Sequence, residues 1–314
     1  MMGTDKTLTV LGATLLALVA AGFLLPDWAV FLLTLSLARG LVVLGLLILW
    51  RSGLVSFGQA LFFGTGAYTV GLLVLFAGLR DIVALTVLAA LAAGLLAWLV
   101  GLLLTGYRDI FFAMLSMAFS MILYGILVKT ELLGSTDGFN VPHPTFLGYA
   151  PAGEKMRVSI YLWTALVSMA AAYGVHRHLS STMGQLGAAI RDNEIRVEYL
   201  GASVRRVLLI QVIIAGALAG AGGAVTAFAV GHIDPDAMAY WTVSGEFVFV
   251  TILSGTGHIL APFLGSLLFE LIRSFAFQYS PYTWQMVLGT SLLLIILFLP
   301  NGLWSLYARL RKGG

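Results

Sequence analysis

The residues able to do chemistry are few, and their spacing excludes more than it permits. A phosphate-binding loop of the Walker A kind needs glycine immediately before its lysine, so that backbone N–H groups can wrap the phosphates. Lys6, Lys129, Lys155 and Lys312 follow Asp5, Val128, Glu154 and Arg311 instead. The chain has no ATP site of that kind. It has no cysteine, which removes thiol catalysis, disulfides and Cys-based zinc or iron–sulfur sites. His176 and His178 stand at i,i+2 and would point to different faces of a helix. There is no HExxH, no GxSxG and no carboxylate pair at a useful spacing. These residues describe a protein without a catalytic centre, a metal site or a cofactor of its own.

Polar groups inside apolar runs are the second kind of candidate. Glu246, Glu270 and Arg273 lie in or near such runs, where an ionised side chain costs roughly 2.5–3.5 kcal/mol at mid-membrane. Glu270 and Arg273 are at i,i+3 and can pair on one helix face near an interface, or serve a path through the membrane. Two apolar stretches are interrupted by flexible and polar residues: Ser56, Gln59, Gly64 and Tyr68 in one, Thr251, Ser254, Gly255, Thr256 and Gly257 in the other. They are candidates for lining a path; hydrogen-bonded glue between helices is the competing reading.

The third candidate is a polar stretch, Met183–Gly201. Leu186, Ala189, Ile190, Val197 and Leu200 recur mainly at three- and four-residue intervals, as on one helix face. Arg191, Asp192, Glu194, Arg196 and Glu198 concentrate the charge there, beside Ile190 and Asn193, and Gly201 supplies a stop. The pattern predicts one amphipathic helix over 184–201, resting on a membrane surface or docking on a partner.

The elements that must position these groups are transmembrane helices. Hydrophobic residues make up 60% of the 314 and charged residues 10%, with a mean hydropathy of +0.99; soluble domains carry about a quarter charged residues. Only helices or closed barrels satisfy the backbone in hydrocarbon, and alternating barrel strands are absent. The predicted spans are Leu8–Leu25, Trp28–Trp50, Leu54–Gly78, Ile82–Leu104, Ile110–Val128, Val158–Val175, Val207–Val230 and Trp284–Leu299. The expected fold is an all-α polytopic membrane protein, with about eight full spans plus a broken or re-entrant hairpin over Phe247–Phe277. Leu8–Leu25 is read as a retained first helix, not a cleaved signal.

Arginines between the spans fix the expected orientation. Arg177, Arg191, Arg196, Arg205 and Arg206, and the tail with Arg309, Arg311 and Lys312, belong in the cytoplasm. Counting spans then puts 129–157 outside, Arg51 and Arg108 inside, and both termini inside. Parity holds only if Phe247–Phe277 leaves and returns on one side. Two interrupted segments, one per half, hint at a repeated architecture, although no sequence period accompanies them. The basic residues follow the loops and form no patch, so nucleic acid is not an expected partner.

Several stretches carry a resemblance. Ala189–Gly201 resembles the cytoplasmic loop of LivM-type permeases of branched-chain amino acid ABC importers. Ser56–Tyr68, Gly134–Gly138, Ala215–Ala224, Phe249–Gly257 and Phe298–Leu303 are similar in order along the chain. The resemblance implies a single permease domain in a bacterial inner membrane. It also implies a homologous second permease subunit, two ATPase subunits holding ATP and Mg, and an external substrate-binding protein. The 184–201 segment would be the coupling helix, with Glu198 and Gly201 at positions resembling the Glu-Ala-Ala…Gly loop of permeases; here Glu-Tyr-Leu-Gly stands in its place. A self-sufficient secondary transporter or channel is the alternative.

Overall fold

The computed structural model describes residues 6–279, 281–298 and 302–304; Arg309, Arg311 and Lys312 lie outside the described residues. The helices are α1 (Lys6–Leu24), α2 (Asp27–Arg51), α3 (Gln59–Ala77), α4 (Ile82–Leu104), α5 (Asp109–Lys129), α6 (Glu154–Ser180), α7 (Thr182–Asp192), α8 (Glu194–Tyr199), α9 (Val204–Val230), α10 (Pro235–Met238), α11 (Trp241–Ser254), α12 (Ala261–Tyr279) and α13 (Trp284–Phe298). Among the described residues, eight stretches are long and apolar enough to cross a membrane: α1 to α6, α9, and Pro235–Ser254 taken together. Leu16, Phe23, Leu91, Leu95, Phe111 and Ile122 face outward, an arrangement that lipid, and not water, solvates.

α9 is the centre of the bundle, packed on α2, α3 and α4. Its small residues are what allow this. A Cβ at Gly216 would collide with Ala97, one at Gly220 with Ala93, and one at Gly223 with the carbonyl of Phe63. Across α9, Gly45 of α2 meets Ala215, where a Cβ would come within 2.9 Å of the backbone oxygen. The Gly216–Gly220 face is thus a close-packing face. α1 sits at the edge against α6, where Tyr161 Oη donates to the carbonyl of Leu18 at 2.8 Å.

Caps and turns define two ends of the bundle. At one end Arg51, Arg108, Arg177 and α7–α8 gather; it is called here the basic end. At the other, Asp81 caps α4 by accepting from Val83 N and Ala84 N, each at 3.0 Å. There, a two-residue strand pair joins β1 (Phe139–Asn140) to β2 (His232–Ile233), tying the long 130–153 loop to the end of α9.

Three boundaries differ from the sequence expectation. Residues 184–201 do not form one helix: the chain breaks at Asn193, whose side chain accepts from Arg196 N at 2.9 Å and starts α8 afresh. A local Asn cap outcompetes the continuous apolar periodicity. The interrupted region begins earlier than Phe247, because Pro235–Met238 and Trp241–Ser254 are already helical. Its turn, Gly255–Leu260, lies at the basic end, where Arg51 Nη2 donates to the Thr256 carbonyl at 2.7 Å. The hairpin therefore runs the depth of the bundle before returning. The third span begins at Gln59 and not Leu54. Residues 52–58 enter the bundle without helix, their backbone met by hydroxyls: Phe57 N donates to Ser116 Oγ at 3.1 Å and Gly58 N to Ser56 Oγ at 3.2 Å. The next amide, Ala60 N, donates to Ser244 Oγ at 2.8 Å. Such satisfaction is what permits irregular backbone at that depth.

Candidate functional site: an elbow at the basic end and an ionic cluster at mid-span

The α7–α8 elbow is held to the bundle from one face. Ile190 and Val197 are buried, whereas Arg191, Asp192, Asn193 and Glu198 are exposed. Gly187 lies flat on the bundle: a Cβ there would strike Gln211 Nε2 and the Ser52 hydroxyl, which itself donates to Gln211 Oε1. Glu194 is gripped by both arms of Arg108, Nε to Oε2 at 2.8 Å and Nη2 to Oε1 at 2.9 Å. Arg108 Nη1 also donates to the carbonyls of Thr105 and Tyr107, each at 2.8 Å. One guanidinium thus locks the α4–α5 turn to the start of α8. Gly201 has φ +81°, the left-handed conformation that glycine adopts without strain, and ends the element. The outer face of α8 exposes Ile195, Tyr199 and Leu200, a surface without cover in the isolated chain. Sequence reading missed Ile195 and Tyr199; their i,i+4 spacing was the available signal.

The second locus was half-visible. Arg39 sits twelve residues from either end of α2, which runs from 27 to 51, and so about 18 Å from each. Its Nη1 meets Glu246 Oε2 and its Nε meets Glu270 Oε1, each at 2.6 Å. Arg273 approaches the same two carboxylates at 3.7 and 3.9 Å. The guanidinium of Arg39 also lies over Phe247 and Phe269, at 5.8 and 5.6 Å from the ring centroids. Glu270 and Arg273 do share a face as their spacing predicts. The nearer partner of Glu270, however, is Arg39 from another helix, and the cluster sits at mid-span, not near an interface. Arg39 is a lone charge within the Trp28–Trp50 run; that isolation was the signal.

A cavity of about 880 Å³ opens beside this cluster, on the flank formed by α10, α11, α12 and α13. Arg39, Glu246 and Arg273 line it at one side, Asp234 and Asp236 at another. Tyr124 Oη donates to Asp236 Oδ1 at 2.8 Å, tying this rim to α5. Phe249, Leu288 and Leu293 supply an apolar wall.

The other sequence candidates lie elsewhere. Ser56, Gln59, Gly64 and Tyr68 are buried where α3 meets its neighbours. Gln59 is wholly buried with neither amide atom hydrogen-bonded, and Tyr68 packs edge-on to Phe139 at 5.6 Å. Thr251 and Ser254 turn their hydroxyls back onto α11, to the carbonyls of Phe247 at 2.8 Å and Thr251 at 3.1 Å. Gly255, Thr256 and Gly257 form the turn at the basic end. Trp304 covers Gly257 and stacks on His258, with ring centroids 4.3 Å apart. None of these nine candidates lines the 880 Å³ cavity. Burial, with His176 and Arg51 nearby, holds the His258 imidazole below its ordinary pKa.

A many-helix bundle with outward-facing apolar surface and a buried ionic centre defines a multi-pass integral membrane protein. Residues 28–297 match the family model described as branched-chain amino acid transport system / permease component, and the chain belongs to that family. It is 27% identical to the high-affinity branched-chain amino acid transport system permease protein LivM of Escherichia coli (strain K12), covering 96% of this chain and 75% of that protein. The protein of the same name from Salmonella typhimurium (strain LT2) is 26% identical over the same shares. No solved structure matches.

Proposed function

We propose that the chain is the membrane permease subunit of an ATP-driven importer that moves branched-chain or closely related amino acids delivered by an external binding protein. The family match over 28–297 carries this reading. ATP and its Mg would be bound by two separate ATPase subunits, since no lysine here follows a glycine, and a homologous second permease would complete the path. The basic end faces the cytoplasm in a bacterial inner membrane, with both termini on that side, in keeping with the positive-inside rule. The 130–153 loop then faces outward. The α7–α8 elbow docks on an ATPase through Ile195, Tyr199 and Leu200, with Asp192 and Glu198 at the rim. A groove in a partner suits such an i,i+4 apolar pair, and the Arg108 clamp would pass its motion to α4 and α5. Single cysteines at Asp192 or Glu198, crosslinked to co-expressed ATPase, test this docking. Absence of any crosslink in an intact complex overturns it, and absence of radiolabelled leucine uptake by that complex overturns the substrate.

A further inference from the structure

We propose that the Arg39–Glu246–Glu270–Arg273 cluster and the cavity beside it form a way-station inside the membrane for a zwitterionic solute with an apolar side chain. The proposal rests on the reading of the chain as an amino acid permease. Four ionised groups at mid-span are expensive to bury, and one tight pair would have sufficed to join α2 to α12. The cluster is not closed on itself. Arg39 is engaged by both acids at 2.6 Å: it donates a hydrogen bond to Glu246, and its contact with the buried Glu270 Oε1 is an ion pair without hydrogen-bond geometry. Arg273 is not so engaged: its contacts of 3.7 and 3.9 Å exceed hydrogen-bonding distance, and it lines the cavity. It rests against Trp284, 5.7 Å from the ring centroid, which holds the guanidinium at the cavity wall. Glu246 uses Oε2 for both arginines, and its Oε1 makes no hydrogen bond among the described residues.

A donor fork and an acceptor oxygen therefore stand on one wall of the same cavity. An α-carboxylate fits Arg273 as a bidentate partner, and an α-ammonium fits Glu246. Phe249, Leu288 and Leu293 receive the apolar side chain. The space, about 880 Å³, lies within the range that small-molecule sites occupy. Glu270 lies behind Arg39 and acts as a positioning residue: it neutralises that guanidinium so that Arg273 remains available. The two arginines and two glutamates of the cluster sum to no net charge, and Asp234 and Asp236 on the other side of the cavity add two acids, so the cluster offers a solute both charges without itself trapping a bare ion.

The test uses the assembled transporter and reads leucine uptake and ATP hydrolysis together. Arg273→Gln removes the carboxylate fork while Arg39 still bridges both acids. The expected result is a fall of about tenfold in leucine moved per ATP hydrolysed, with hydrolysis near the parent rate and Arg273→Lys intermediate. Uptake and hydrolysis falling in proportion would assign the cluster to helix joining alone and overturn the proposal, as would no change in either. Should Arg273→Gln fail to assemble, Leu288→Trp fills the cavity without touching an ion and must give the same uncoupling; unchanged uptake overturns the proposal. If the parent complex moves another solute and not leucine, the substrate reading fails, while the ratio measured with that solute still decides the way-station.

Discussion

Replacing Arg39 by methionine isolates what the ionic centre does for the fold. In the parent, Arg39 is the near partner of both carboxylates, at 2.6 Å to each, and its side chain is only 14% exposed. Arg39→Met keeps most of the stem and its packing on Phe247 and Phe269, but leaves two acids with one distant counter-ion, Arg273 at 3.7 and 3.9 Å. Removing one partner of a buried pair costs about 3–5 kcal/mol, most of it the penalty of an uncompensated charge. The second substitution follows from the geometry. Glu270→Gln in the Arg39→Met background deletes the deeper acid, 8% exposed, and leaves Glu246 with Arg273. The double variant should therefore recover more than half of the lost stability. Thermal unfolding in detergent of the parent, both single variants and the double variant closes a mutant cycle, with a coupling of about 1–3 kcal/mol expected. A loss below about 1 kcal/mol for Arg39→Met, or additive effects without rescue, would refute the reasoning: the centre would then be hydrated and its charges paired with water.

Other outcomes follow from separate contacts. Gly220→Leu should abolish recovery of monodisperse protein, because even a Cβ there meets Ala93 and the Ala89 carbonyl at 2.8 Å, and overpacking a rigid backbone seam costs upward of about 1–3 kcal/mol; normal yield on size-exclusion chromatography would contradict it. Arg108→Met should leave global stability within about 1 kcal/mol, since the Glu194 pair is partly exposed and screened, yet accelerate amide exchange across residues 194–201. His258 is held below its ordinary pKa by burial and by His176 and Arg51. Its contribution is therefore fully present above about pH 6.5 and is lost as pH falls below that value, because the unfolded state then binds the proton the native state refuses. His258→Gln should flatten the fall in thermal stability between about pH 7 and pH 5, and an unchanged slope would discard this assignment. The chain has no cysteine, so single cysteines at Ser135 and Ser181 can be labelled cleanly; an impermeant reagent should reach only Ser135 in intact cells, and labelling of Ser181 would invert the proposed orientation.

What the sequence by itself determined was whatever depends on local composition and period. Spans such as Ile82–Leu104 are legible because lipid demands an unbroken apolar helix, and its ends coincide with α4 in the structure. The elbow was legible as amphipathic, but its break at Asn193 turns on a single side-chain cap, a local competition that periodicity does not weigh. Only tertiary structure could decide which charges meet. Arg39, Glu246 and Glu270 are separated by 207 and 24 residues along the chain, and nothing in their neighbours signals that α2, α11 and α12 bring them together at mid-depth. Tertiary structure likewise decided that Gln59 and Ser254 are buried in seams, whereas Arg273 and Glu246 face open space. Burial of a polar group and its exposure to a cavity read alike in sequence. They differ only in what stands across from the side chain, and that is set by packing.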